Sequence, residues 1–193
     1  MFRLSFIPKH KAKVLAIKPE APKKGQKDLG HGVSLKLSLK APNSSLDMLD
    51  KKARAFLFES GNLKQNQLES VEVVSDLPSV SHAAGLLGDL GWGGEQTGCT
   101  LTIHQGITGD QTVKLKDGIV NKVKTSHKEG GTVEWEFTFY TPDVNAETYG
   151  ILCMLIKREV DIELEAAEVY EAQQEIKSDD TPEKAITRAH KGK

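Results

Sequence analysis

The chain has 193 residues, 38% hydrophobic and 27% charged, with a formal net charge of −1. That length holds one domain with a sizeable core plus a tail, and no apolar run reaches the roughly 20 residues needed to cross a bilayer as a helix. Cys99 and Cys153 lie far apart among apolar neighbours, which excludes a disulfide framework and a zinc site and predicts two small buried hydrophobes.

The small net charge hides a polarised distribution. Residues 1–54 carry 13 Lys/Arg against 4 Asp/Glu, residues 55–158 carry a net −5, residues 159–180 a net −8, and the last thirteen a net +3. A basic front and an acidic back is the most informative global feature of the chain. The N-terminal run MFRLSFIPKHKAKV has neither a signal-peptide apolar region nor a small-residue cleavage site, which predicts a cytoplasmic protein.

In chain order, KVLAIKP reads as a strand sending Val14 and Ala16 into the core. A cationic loop follows, where Pro19, Pro22, Gly25 and Gly30 forbid regular structure. VSLKLSLK (33–40) alternates strictly, with Val33, Leu35, Leu37 and Leu39 on one face and Ser34, Lys36, Ser38 and Lys40 on the other; it is a half-buried strand. APNSSLDMLDKKARAFLFES then changes period. It predicts a helix of about three to four turns capped by Ser44 or Ser45, with Leu46, Leu49, Ala53, Phe56 and Leu57 lining one face. From Gly61 to Ser81 the chain is polar, apart from a short strand at VEVV (71–74).

The cluster Gly88, Gly91, Gly93, Gly94 and Gly98 invites a phosphate-loop reading. Such a loop needs amides converging at a helix N-terminus, and in nucleotide hydrolases a Lys-Ser/Thr pair. This one runs into a strand, contains no lysine and carries Asp89 and Glu95, so it is expected only to turn the backbone and deliver Trp92 to the sheet. Beyond it Cys99, Leu101 and Ile103 alternate with Thr100, Thr102 and His104, the last expected to be solvated. Val113 and Leu115 alternate with Lys114 and Lys116, and Asp117-Gly118 has the signature of a hairpin turn. After the KEGG turn, TVEWEFTFY sends Val133, Trp135, Phe137 and Phe139 inward. Glu134 and Glu136 face out, opposite Lys122 and Lys124. TPDVNAETYGILCMLIKREV predicts a second helix capped by Thr141, with Val144, Ile151, Leu152, Leu155 and Ile156 buried, and VDIELEA a closing strand. The expected fold is α+β: a mostly antiparallel, curled sheet (a partial barrel) with two packed helices, forming one domain over 1–168. Residues 169–193 are read as a charged tail, partly helical or disordered.

No motif points to catalysis, a cofactor or a metal. The six histidines are dispersed, no serine-hydrolase elbow or Cys/His signature occurs, and Asp110, Asp117 and Glu129 fall in turns; the protein is expected not to be an enzyme. The basic front is the functional lead. Lys9, Lys11, Lys13, Lys23, Lys24 and Lys27, with Lys36, Lys40, Lys114 and Lys116 on outward strand faces, form a candidate nucleic-acid-binding set. Base-stacking candidates are few: Phe2, Phe6 and Trp92. The acidic segment offers a partner-binding set, Glu168, Tyr170, Glu171 and Glu175, acting either as a mask over the basic region or as a recruitment segment.

The run CTLTIHQGITGDQTVKLKDGIVNKVKTSHKEGGTVEWEFTFY resembles a group of uncharacterised proteins of bacteriophages, prophages and mobile elements; SLKLSLKAPNSSLDMLD and LIKREVDIELEAAEV extend the likeness over about residues 8–169. The resemblance implies an accessory role near phage recombination proteins, in the cytoplasm of a bacterial host, and brings no active site. The expected function is therefore non-enzymatic binding of nucleic acid, single-stranded by preference, in support of recombination or replication. The alternative is an inhibitor of a host defence or repair complex, such as an anti-CRISPR or nuclease antagonist, acting through protein–protein contact. No membrane partner is expected, and the sequence leaves self-association open.

Overall fold

A computed structural model describes residues 3–20, 32–61, 75–105 and 111–167. Its strands are β1 (Phe6–Glu20), β2 (Gly32–Pro42), β3 (Phe58–Glu59), β4 (Ser79–Val80), β5 (Leu90–Trp92), β6 (Gln96–Gln105), β7 (Gln111–Lys128), β8 (Thr132–Thr141) and β9 (Glu159–Glu165). Helical pieces are short: a 3-10 helix (Asn43–Met48), α1 (Ala53–Leu57), α2 (His82–Leu87) and α3 (Ala146–Met154). The main sheet runs β5-β7-β6-β9-β1-β2-β8, every pairing antiparallel, and a further β7–β8 pairing closes it into a ring. The outcome is a mostly antiparallel β protein with a few short helices.

Inward positions alternate along β2 and β8. On β8, Val133, Trp135, Phe137 and Phe139 are all fully buried, as their period of two predicts. Phe6 of β1 packs edge-on to Trp135 at 5.6 Å and stacks on Phe137 at 6.0 Å. Each such side chain contributes about 1.5–3 kcal/mol by leaving water. Gln96 ties the N-terminal segment down: its Oε1 accepts from Leu4 N (2.6 Å) and its Nε2 donates to Leu4 O (3.0 Å), as a neighbouring strand would.

Local sequence signals mislead where tertiary packing competes. The first strand spans fifteen residues, well beyond KVLAIKP, and a bulge between Val14 and Ala16 reverses its phase. Val14 is buried against the core, whereas Ala16 pairs with exposed Lys36 and faces outward, and Ile17 takes the inward position opposite Leu35. The helix expected over 41–60 is broken into the 3-10 helix and α1, and neither has a side-chain cap. Ser45 instead accepts a 2.8 Å hydrogen bond from Trp135 Nε1, because a buried indole N–H must find an acceptor. Leu46, Ala53 and Leu57 are buried as expected, but Phe56 is 56% exposed.

Asp117-Gly118 makes no hairpin. β7 continues through it unbroken, with Asp117 at φ 52° in a bulge against β6, and a side chain at Gly118 would collide with the buried ring of Phe139. The turn signature here serves to bend one long strand, so that its first half pairs with β6 and its second half with β8 and β5. On α3 the cap is Asn145, which accepts from Thr148 N at 2.7 Å, while Thr141 Oγ1 reaches Lys116 O. Val144, Leu152 and Leu155 are buried, Ile151 half-buried and Ile156 38% exposed. Cys99 is buried as expected and Cys153 only half-buried. The glycine cluster does turn the backbone: Gly88 ends α2 at φ 67° and Gly94 (φ 115°) turns the chain from β5 to β6, and Trp92 pairs with Val123. The VEVV strand and the tail lie outside the described residues.

Antiparallel order places the C-terminal ends of β1, β6 and β8 and the N-terminal ends of β2, β7 and β9 together at one end of the ring. The connections 21–31, 106–110 and 142–158 therefore all leave from that end. α3 belongs to the last of them.

Candidate nucleic-acid interface

The outward side chains of β9, β1, β2, β8 and β7 form rows running across the strands. One row reads Glu159, Lys13, Ser38, Glu136, Lys124; another pairs Asp161 with Lys11, and a third Lys40 with Glu134. Cations thus stand opposite carboxylates over much of the outer face. Closer ion pairs are Lys36–Glu136 (2.7 Å), Lys124–Asp89 (2.7 Å) and Lys128–Glu134 (3.9 Å). Hydrogen bonds from Lys124 and Ser126 hold the Asp89 carboxyl below the usual carboxylate range, and Asp89 in turn raises Lys124. The sequence set Glu134 and Glu136 against Lys122 and Lys124. In the structure their contact partners are Lys128 and Lys36, with Lys124 opposite Glu136 in register. Lys122 is freed by the bulge between Asn121 and Lys124, where it sits at φ 51°.

Towards the α3 end the pattern changes. An open cleft of about 430 Å³ crosses four adjacent strands and is lined by Ala16, Lys18 and Glu20 (β1), Ser34 and Lys36 (β2), Glu136 and Thr138 (β8), and Lys122 (β7). Of its two carboxylates, Glu136 pairs with Lys36, and Glu20 accepts a 2.5 Å hydrogen bond from Ser34 Oγ and keeps its charge. Lys18 and Lys122 make no ion pair among the described residues. The bulge in β1 turns Ala16 and Lys18 into this cleft, and the bulge in β7 presents Lys122 to it. Two irregularities in pairing, neither of them legible as charge patterning, make a cationic cleft beside the strand ends that lead into 21–31.

The candidate lysines do not share one surface. Lys9, Lys11, Lys13, Lys36, Lys40, Lys114 and Lys116 are all exposed, but only Lys36 lines the cleft. Lys114 and Lys116 border a different one, about 640 Å³, with Asp117, Asp143 and Glu147. Lys23, Lys24 and Lys27, and the partner set Glu168, Tyr170, Glu171 and Glu175, lie outside the described residues. Phe6 is 2% exposed and serves the core, and Trp92 is half-buried with its Nε1 donating to Thr125 Oγ1 (3.2 Å). His104 is not solvated as expected: its side chain is 16% exposed, with Nε2 3.6 Å from Glu163 Oε2.

Among the described residues no three His, Cys, Asp or Glu side chains converge as a metal site, and no helix is long and apolar enough to cross a membrane. Comparison with protein-family models, curated proteins and solved structures finds no match to this chain.

Proposed function

We propose that this is a non-enzymatic accessory protein of a bacteriophage or mobile element that binds single-stranded nucleic acid in the bacterial cytoplasm, in support of recombination or replication. The observation that carries this reading is the cleft where Lys18 and Lys122, without an ion pair among the described residues, flank Lys36. Lys23, Lys24 and Lys27 lie in the segment that continues from the same end of the sheet. Cations at backbone spacing on an open sheet face track phosphates, and their release of counterions makes affinity fall with salt. In this reading the ring is a partial barrel with helices packed on it, and the acidic tail competes with nucleic acid for the cationic face. Binding of labelled single- and double-stranded DNA across a salt series tests it, with a 1–168 truncation alongside. Micromolar binding to single strands that weakens linearly in log salt is expected, tightening without the tail; no binding at low salt refutes it.

A second reading, an inhibitor that grips a host defence or repair protein, is favoured by a separate observation. Phe56 of α1 and Leu86 and Leu87 of α2 are 56%, 76% and 55% exposed on two helices that touch. Capture of a host protein that is lost in a Phe56→Ser, Leu86→Ser variant, together with absent DNA binding, selects this reading over the first.

A further inference from the structure

On the other side of β1, a second polar cleft of about 420 Å³ opens between β1, β6 and β9, lined by Lys11, His104, Gln105, Leu155, Arg158, Glu159, Val160 and Asp161. Its floor follows from strand pairing: His104, Asp161 and Lys11 stand side by side across three strands. Its wall is the turn after α3, where Lys157 adopts φ 65°. Two backbone bonds at the β1 bulge, Lys157 N to Val14 O (2.7 Å) and Val14 N to Arg158 O (3.0 Å), clamp that turn. Arg158 is thereby held at the rim by backbone rather than by a side-chain partner.

Two side-chain nitrogens of residues that line this cleft, Gln105 Nε2 and His104 Nε2, are buried with no hydrogen-bond partner among the described residues. A buried amide donor left unmade is costly, and native structures rarely retain one without a reason. The carboxylates of the cleft do not answer it. Asp161 stands opposite Lys11 and Glu159 opposite Lys13, and the 3.6 Å from His104 to Glu163 exceeds hydrogen-bond length. Arg158 makes no ion pair among the described residues. The unmatched donors are therefore a planar guanidinium and a primary amide, with an imidazole nitrogen beside them. A cation does not fit them; an acceptor does.

We infer that this cleft binds a phosphate group, with Gln105 Nε2 donating to one oxygen and Arg158 closing on others as a fork. The inference stands apart from the nucleic-acid reading, since a free phosphate and a backbone phosphodiester offer the same acceptor oxygens. Nitrogen-15 NMR of the full chain tests it by following the Gln105 side-chain amide during titration with inorganic phosphate, with chloride at matched ionic strength, and separately with an oligothymidylate. A saturable shift with inorganic phosphate, absent with chloride, identifies a free-phosphate site. A shift with the oligonucleotide alone assigns the same donors to a backbone phosphodiester. Gln105→Leu and Arg158→Gln are each expected to weaken the interaction by at least about tenfold. Gln105→Leu, which removes the orphan donor, leaves the melting temperature unchanged or higher. No saturable shift with either titrant overturns the inference, as does an equal response to chloride. Unweakened binding in Arg158→Gln overturns it too, and that variant keeps the test decisive should Gln105→Leu fail to fold.

Discussion

Replacing Lys18 with Gln and Lys122 with Asn removes the two cations of the lysine cleft that make no ion pair among the described residues, while keeping its shape. Asn is chosen at position 122 because the backbone there sits at φ 51°, a conformation Asn tolerates better than most residues. For single strands the logarithm of affinity falls with the logarithm of salt by about 0.7 per phosphate contact. Losing two contacts therefore lowers the slope by about 1.4 and, near 0.1 M salt, weakens binding roughly 25-fold. Lys40→Gln serves as the control. It lies four residues from Lys36 along β2, about 13 Å, beyond the ~10 Å screening length at 0.1 M salt, and opposite Glu134. It is expected to change affinity less than twofold, since its field at the cleft is screened. Fluorescence anisotropy over a salt series reads both quantities, and thermal melts check that these exposed substitutions stay within about 0.5 kcal/mol of the parent. An unchanged slope in the double variant refutes the reasoning, and so does a loss in Lys40→Gln as large as in the double variant.

Three further expectations concern the ring itself. Gly118→Ala places a methyl group against the buried Phe139 ring, so denaturant unfolding is expected to show a loss of about 1–3 kcal/mol; a neutral result means the ring has room to move. Gln96→Leu strips both partners from the Leu4 backbone; a cost of about 1–3 kcal/mol is expected, with faster amide exchange at Leu4 rather than throughout the sheet. His127, edge-on to Phe58 and near Asp89, Lys128, His82 and Glu129, has its pKa lowered from 6.5, chiefly by burial and against the pull of Asp89. The unfolded chain therefore takes up this proton first as pH falls, and stability is full above about 6.5 and lost below it. Melts of the parent and of His127→Phe at pH 7.5 and 5 check this: the difference between them is expected to shrink or reverse at the lower pH, and a constant difference contradicts it.

Alternation alone determined much of this protein. The inward sets of β2, β6, β8 and β9 are legible because one face of each strand must leave water, and a period of two marks it whatever the partner. Only the tertiary structure decided where that period is interrupted. The bulge that turns Ala16 outward, the bend at Asp117-Gly118 and the left-handed Lys122 arise because six strands must bend and shift register to close a ring, a demand no local window contains. Ser45 likewise left its capping role for an indole ninety residues away. The same holds for the candidate sites. Lysines and carboxylates were countable in the sequence, but cross-strand pairing determines which of them neutralise one another, leaving Lys18, Lys122 and Arg158 without an ion pair among the described residues.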